Sequence, residues 1–177
     1  MRVSGVLTAL NRLEEPSVRW VVTASRRPGL AACCRWVNRL GNGWLYLFAV
    51  VAALSTERGA ALRVVVTAGA AVGLAFLPYY CIKPRLARLR PCDQWPMLGS
   101  GVPPLDRFSC PSGHCMTVVA VGIPFAWNHS PIIPLIVAIA AVMAWARIAL
   151  GHHYPSDILL GAGIGLAMGA WVSAVCL

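Results

Sequence analysis

The sequence predicts an all-α integral membrane protein: a compact bundle of five transmembrane helices, or of six, with an N-terminal amphipathic interfacial segment. Apolar residues make up 58% of the 177 residues and charged residues only 12%, about half the share of a typical soluble domain. Uncharged runs of 19, 39 and 20 residues cover 64–82, 108–146 and 158–177. A helix of about 20 apolar residues spans a bilayer, so these runs supply most of the bundle.

Residues 1–40 contain arginine too often for a conventional transmembrane helix. Apolar residues recur at helical spacing near the start, and two prolines interrupt the segment. We expect two or three short amphipathic helices at the level of the lipid head groups, with one tilted crossing through 18–37 as the alternative. The chain is accordingly divided into an interfacial segment, 1–40, and a transmembrane domain, 41–177.

The uncharged segments of the sequence predict the transmembrane helices, taken here in chain order. A Gly-Asn-Gly sequence at 41–43 is a break, and the uncharged run around it is 17 residues long, the lower limit for a span. A turn is expected at 56–59, and a polar Trp-Asn-His-Ser-Pro sequence at 127–131 divides the longest uncharged run in two. Small residues in the last span permit close packing against a neighbouring helix. The expected spans are 40–56, 64–82, 113–127, 132–150 and 158–177.

The number of crossings predicts that distant polar segments lie on the same face of the membrane. One span leaves the polar loop 83–111 and the next returns at residue 150, so this loop and the turn 147–157 lie on the same side. The turns at 56–59 and 128–131 and the C-terminus lie on the opposite side. Side chains far apart in the sequence can therefore form a single site.

The charge balance indicates an anionic partner. The net charge of +9 comes almost wholly from arginine, because Lys83 is the only lysine. A basic chain without a soluble domain favours the lipid bilayer and a phosphorylated lipid as partners, and it argues against nucleic acid. The seven cysteines have no regular spacing and predict free thiols, although Cys92 and Cys110 could pair in an oxidising compartment.

The first polar cluster runs from Lys83 to Pro91. If this segment is helical, Lys83 and Arg90 lie two turns apart and point the same way. A compact ammonium group and a planar guanidinium group together suit a phosphate dianion. The alternative interpretation is a positively charged flank of a membrane helix.

The second polar cluster is Cys-Pro-Ser-Gly-His at 110–114. Pro111 and Ser112 are typical of helix starts, and the free N–H groups of a helix N-terminus attract anions. Gly113 permits close approach of the backbone, and His114 would be the first side chain to reach a bound anion. An ordinary helix cap with an interfacial histidine is the alternative.

The third polar cluster contains Arg147, His153 and Asp157. Arg147 and Asp157 are the only formally charged residues after residue 107, and charge within an apolar run is costly. Asp157 follows His153 by four residues and can accept from one imidazole nitrogen, which leaves the other free as a nucleophile towards phosphorus. A structural Arg–Asp pair is the alternative.

The three clusters together resemble the signature of the type 2 phosphatidic acid phosphatase superfamily. The matching patterns are Lys-x6-Arg-Pro, Pro-Ser-Gly-His and Arg-x5-His-x3-Asp, within roughly residues 40–177. The serine that the family usually has before the third-cluster arginine is Ala146 here, which removes one hydrogen bond near the phosphate. The family includes membrane lipid phosphatases and shares its site with vanadium haloperoxidases.

The resemblance implies a role for each matched residue. His153 would attack phosphorus and form a phosphohistidine, His114 would protonate the leaving lipid oxygen and then activate water, and Asp157 would orient His153. The spacing to Arg147 and Asp157 selects His153 over the neighbouring His152. The residues that would hold the phosphate are Lys83, Arg90, Ser112, Gly113 and Arg147.

No cofactor is expected, because the cations can stabilise transition-state charge. Cys110, His114, Cys115, His152 and His153 could in principle bind zinc. However, they form no Cys-x2-Cys or His-Glu-x2-His pattern, and the nearby basic residues would repel a metal ion.

We therefore expect a metal-independent lipid phosphatase that hydrolyses phosphate mono- or diphosphate esters. Candidate substrates are polyprenyl diphosphates such as undecaprenyl diphosphate, phosphatidate, phosphatidylglycerol phosphate and lipid A phosphates. A lipid phosphotransferase and a non-enzymatic lipid-phosphate binding or transport protein are the alternatives. The usual bacterial arrangement of the family implies a site near the external face of the cytoplasmic membrane, whereas five spans and an arginine-rich N-terminus favour a cytoplasmic site.

Overall fold

The computed structural model describes residues 2–55 and 58–177, and every regular element in this part of the chain is helical, as the sequence predicts. The predicted turn at 56–59 falls partly on residues 56 and 57, which lie outside the described residues. The main helices are α1 (Arg2–Ala24), α2 (Pro28–Arg39), α3 (Leu45–Leu54), α4 (Arg58–Leu86), α5 (Pro91–Gln94), α6 (Gly113–Asn128), α7 (Ile133–Ala149) and α8 (Pro155–Cys176). A π-helical turn, Leu40–Trp44, joins α2 to α3, and short 3-10 turns cover Pro96–Leu98 and Ser130–Ile132.

Three segments of the described chain are long and apolar enough to cross a membrane. They are Gly59–Gln94, which contains α4, and Ser130–Ala149 and Pro155–Cys176. The protein is therefore an integral membrane protein. The helix α3 has only 10 residues, because the predicted first span begins with the π-helical turn. A total of five or six crossings stays a prediction.

The helices α6 and α8 form the closest contact in the bundle, because glycines of α8 remove the side chains between them. A Cβ atom at Gly161 would lie 2.4 Å from the backbone oxygen of Ser112, and one at Gly165 would lie 2.3 Å from that of Met116. A Cβ atom at Gly169, one turn further on, would lie 2.9 Å from the side-chain Cβ of Ile123 and 3.3 Å from the backbone oxygen of Ala120. The two backbones are therefore in direct contact along two turns of helix.

The N-terminal helices α1 and α2 pack on the polar end of α7. Val21 of α1 and Cys34 of α2 are buried against Ala146 and Leu150. The chain turns at residues 25–27, so 18–37 does not form one continuous helix, and the tilted crossing through these residues stays a prediction. This segment covers the end of α7 that carries the third polar cluster. Its predicted position in the membrane interface stays a prediction, as does the division of the chain at residue 40.

The first polar cluster differs from the predicted helix. The helix α4 ends at Leu86, and Ala87 follows with a left-handed φ of 45°. Arg90 is extended, with a ψ of 155°, because a residue that precedes proline avoids the helical region. Lys83 and Arg90 therefore converge through a sharp turn and not along one helix face.

We expect Gly165→Ala to destabilise the bundle, because the added methyl group would press on backbone atoms of α6 that cannot move without separating the helices. The free energy of unfolding should fall by about 1–3 kcal/mol. Gly163→Ala is the matched control, since nothing lies within 4 Å of a Cβ atom at that position. Thermal unfolding in detergent measures both variants, and a wild-type melting temperature for Gly165→Ala would contradict the close packing.

Candidate active site

A cavity of about 180 Å³ lies where α4, α6 and α7 meet the loops before α6 and α8. A larger cavity of about 650 Å³ lies between α3, α4, α6 and α7, is lined mainly by apolar side chains and contains no predicted site residue. The smaller cavity therefore defines the candidate site. Six of the eight predicted site residues line it: Lys83, Arg90, Gly113, His114, Arg147 and His153.

Two buried guanidinium groups converge on one nitrogen of His153. Its Nε2 atom lies 3.3 Å from Arg90 and 3.2 Å from Arg147. Arginine can only donate hydrogen bonds, so Nε2 is the acceptor and the proton of the neutral ring is on Nδ1. The Nε2 lone pair is thereby directed at the cations that would hold an anion.

His153 is held in its neutral form. Burial lowers the pKa of His153 well below its usual value, and the positive charges of Arg147 and Arg90 act in the same direction. A neutral imidazole keeps the lone pair that a nucleophile requires. The ring is therefore ready to react without first losing a proton.

Asp157 lies behind His153 and outside the cavity, at the start of α8. Its Oδ2 atom accepts a hydrogen bond from the backbone N–H of Tyr154 at 2.9 Å and lies 3.7 Å from Nδ1 of His153. Its Oδ1 atom accepts from Arg88 at 2.6 Å. The contact with His153 is longer than a hydrogen bond, as is common at catalytic groups without substrate. The carboxylate is aimed at the protonated nitrogen of the ring.

Ser112 does not line the cavity, although the sequence predicts that it contacts phosphate. Its side chain is fully buried, and its backbone N–H donates to the carbonyl oxygen of Asp157 at 3.0 Å. Gly113, the first residue of α6, does line the cavity. The first N–H groups of a helix have no acceptor within the helix, so those at Gly113 and His114 can donate to an anion.

His114 is supported by a segment that the sequence analysis did not connect with the site. Its Nε2 atom lies 2.7 Å from the amide oxygen of Asn42, in the π-helical turn. A Cβ atom at Gly41 would lie 2.6 Å from Cδ2 of His114, so only glycine allows this approach. Asn38, one helical turn earlier, accepts a hydrogen bond from Arg147. Two asparagines four residues apart, the second within the Gly-Asn-Gly sequence at 41–43, were the available signal.

Asp106 is a second residue that the sequence analysis did not connect with the site. Its carboxylate binds Lys83 at 2.8 Å and Arg90 at 2.5 Å, and it accepts from Tyr79 at 2.8 Å. Burial opposes the charged form, but the hydrogen bonds from Lys83 and Tyr79 outweigh it and lower the pKa of Asp106 to about 2. Asp106 therefore forms ion pairs with two of the cations that are predicted to bind phosphate.

His152 is separated from the site, as the spacing argument predicts. Its Nε2 atom lies 2.9 Å from the carbonyl oxygen of Val102, and the side chain does not line the cavity. Burial and the positive charge of Arg147 lower the pKa of His152 to about 4, so the ring is neutral. His152 thus joins the loop before α6 to the turn before α8.

Two other expectations have clear outcomes. Cys92 and Cys110 are free thiols, as are the other five cysteines. Ala146, at the position where the resembled family has serine, is buried among apolar residues of α1 and α2. The departure from the family pattern thus belongs to the packing of the N-terminal helices on α7.

Comparisons with known proteins agree with the resemblance. The sequence model of the PAP2 superfamily matches residues 60–176. The chain is 34% identical over 152 residues to decaprenylphosphoryl-5-phosphoribose phosphatase of Mycobacterium tuberculosis. The matched region covers 84% of this chain and 82% of that protein.

Two crystal structures share the fold at 22% identity. Aquifex aeolicus LpxE has a TM-score of 0.76 and matches 90% of this chain and 94% of its own. The first transmembrane PAP2 type phosphatidylglycerolphosphate phosphatase from Bacillus subtilis has a TM-score of 0.68, with coverages of 94% and 86%.

We expect Asp106→Asn to strengthen the binding of a tetrahedral anion, because it removes a negative charge that competes for Lys83 and Arg90. A gain of about tenfold, or ~1.4 kcal/mol, is reasonable for a partly exposed charge. Orthovanadate binding measured by calorimetry tests this. Asp93→Asn is the matched control, because Asp93 is exposed and does not line the cavity. Weaker binding by Asp106→Asn would show that this carboxylate mainly orients the cations.

Proposed function

The chain belongs to the PAP2 superfamily, the phosphatase family that its sequence resembles, and we propose that it hydrolyses phosphate esters of membrane lipids through a phosphohistidine at His153. The observation that carries this proposal is the position of Nε2 of His153 between Arg90 and Arg147. A nucleophilic lone pair and two fixed cations at one point suit attack on a phosphoryl group. The catalytic and binding roles below are part of the proposal.

In the first step, Lys83, Arg90 and Arg147 hold the oxygens of the phosphoryl group. The Nε2 lone pair of His153 attacks phosphorus opposite the bond to the lipid. A nitrogen–phosphorus bond forms as the phosphorus–oxygen bond breaks, and the leaving oxygen takes a proton from His114. The ring of His153 becomes positively charged, and Asp157 accepts from its Nδ1–H and stabilises that charge.

In the second step, His114 accepts a proton from a water molecule as the water oxygen attacks phosphorus. The nitrogen–phosphorus bond breaks, inorganic phosphate leaves, and His153 returns to its neutral form. Asn42 would keep one nitrogen of His114 engaged, so the other nitrogen exchanges the proton in both steps.

The substrate class follows from the membrane setting and from the relatives. The site lies at the ends of apolar helices, so an amphiphilic substrate can reach it from the bilayer. The relative from M. tuberculosis is named for a decaprenyl lipid with a phosphorylated sugar. We therefore favour a polyprenyl-linked phosphate and retain phosphatidate, phosphatidylglycerol phosphate and lipid A phosphates as alternatives. That the site opens on the external side of a bacterial cytoplasmic membrane stays a prediction from the family resemblance.

We expect His153→Ala to abolish phosphate release across a panel of these lipid phosphates, because the nucleophile is lost. The rate should fall by about 10³-fold or more. Purified protein in detergent is assayed for inorganic phosphate. His129→Ala is the matched control, since His129 is exposed at the opposite end of α6.

The same assay separates the alternatives. Transfer of labelled phosphate to a second lipid without release would indicate a phosphotransferase. Release by His153→Ala at the wild-type rate would contradict the mechanism, and tight binding of a lipid phosphate without turnover would indicate a binding or transport protein.

We also expect activity to persist after EDTA treatment, because the cations are proposed to supply the electrostatic stabilisation that a metal gives in other phosphatases. The described residues contain no cluster of three or more His, Cys, Asp or Glu side chains that could hold a metal ion. Phosphate release is measured after dialysis against EDTA and after addition of Zn²⁺ or Mg²⁺. A loss that either ion restores would contradict metal independence.

A further inference from the structure

Arg88 is buried beside the candidate site without lining it. It has 2% of its surface exposed, and its guanidinium group lies 3.9 Å from the centre of the Tyr154 ring. A buried guanidinium group is costly unless its donors are matched with acceptors. Here the acceptors come from both ends of the chain: Asn11 at 2.8 Å, Glu14 at 2.6 Å, Ser156 at 2.7 Å and Asp157 at 2.6 Å.

Glu14 of α1 completes this arrangement. One carboxylate oxygen accepts from the backbone N–H of Ser156 at 2.7 Å. The other accepts from Arg88 at 2.6 Å and from the Ser156 hydroxyl at 2.8 Å. Glu14 therefore binds the first turn of α8 and the side chain that holds Asp157.

We propose that Glu14 and Arg88 are positioning residues for the reaction: together they fix the carboxylate of Asp157 so that it receives the Nδ1–H of His153 while Nε2 attacks phosphorus. This inference rests on the proposed function and assigns part of the catalytic geometry to α1. Arg88 holds one oxygen of Asp157, and the backbone N–H of Tyr154 holds the other. Because both of its oxygens are held, the Asp157 carboxylate cannot rotate away from His153.

The charges explain why a carboxylate is needed at Glu14. Arg88 pairs with two carboxylates, Glu14 and Asp157, so the three groups together carry one net negative charge. The carboxylate that faces His153 is that of Asp157. Without the charge of Glu14, Arg88 would pair with Asp157 alone. The field of Asp157 at the His153 ring would then be weaker when that ring becomes positive in the first step.

The test compares Glu14→Gln with Glu15→Gln in purified full-length protein, using the lipid phosphate that the wild-type enzyme hydrolyses fastest. Glu15 pairs with the surface residue Arg19 at 2.6 Å, and among the described residues it is not a partner of Arg88. We expect Glu14→Gln to lower kcat about tenfold with KM changed less than about twofold, because substrate binding is not affected. Glu15→Gln should match the wild type.

A second measurement does not depend on turnover. In ¹⁵N-histidine-labelled protein, the Nδ1–H proton of His153 is identified by its absence in His153→Ala. We expect this resonance to lie downfield because Nδ1 of His153 faces the Asp157 carboxylate. It should move upfield in Glu14→Gln and stay in place in Glu15→Gln. If Glu14 only attached α1 to the bundle, Glu14→Gln would lower the melting temperature and leave the His153 resonance unchanged.

The outcomes separate the two proposals. If the wild type releases phosphate but Glu14→Gln keeps both its kcat and the His153 resonance, the positioning inference is wrong and the proposed function stands. If the wild type hydrolyses no lipid phosphate, the proposed function fails and the resonance still decides the position of Asp157. If Glu14→Gln does not fold, Arg88→Lys keeps every charge but cannot hold Glu14 and Asp157 with one planar fork, and it should lower kcat about threefold with an upfield shift. An unchanged kcat and resonance in that variant would overturn the inference.

Discussion

Two cations aimed at a single imidazole nitrogen determine which acceptors surround them in the candidate site. Arg90 and Arg147 have only 1% and 2% of their surfaces exposed. The penalty for removing such ions from water is several kcal/mol each unless acceptors are supplied. Asp106 and the carbonyl oxygens of Phe108 and His152 supply them to Arg90, and Asn38 supplies one to Arg147. The loops are thereby fixed around the ions before any anion is bound.

Spacing along the sequence placed the ends of α6 and α7 to within one residue, and six of the eight predicted site residues line the cavity. The predicted spans 113–127 and 132–150 correspond closely to α6 and α7, because an uncharged run interrupted by a polar turn has few alternatives in a membrane. The histidine at position 153 was separated from His152 by the same reasoning. Topology then placed three distant clusters at one end of the bundle.

The remaining contacts depend on packing that no local pattern records. Asp106, Asn42 and Glu14 reach the site across 16 or more residues of sequence, from segments that were predicted to be a loop, a helix break and an interfacial helix. The left-handed Ala87 was also unpredictable, because left-handed conformations are usually occupied by glycine or asparagine. Tertiary contacts of Arg88 and Arg90, which both follow Ala87, overcome that preference.

The glycine face of α8 has a mechanical consequence. His114 is attached to the first turn of α6 and Asp157 to the first turn of α8, and the two helices touch backbone to backbone just below those turns. This contact sets the spacing of His114 and Asp157, because side-chain motion does not relax it. The helix α3 carries none of the predicted site residues, so it is the element that can adapt to different hydrocarbon chains of the proposed lipid substrates without moving the site.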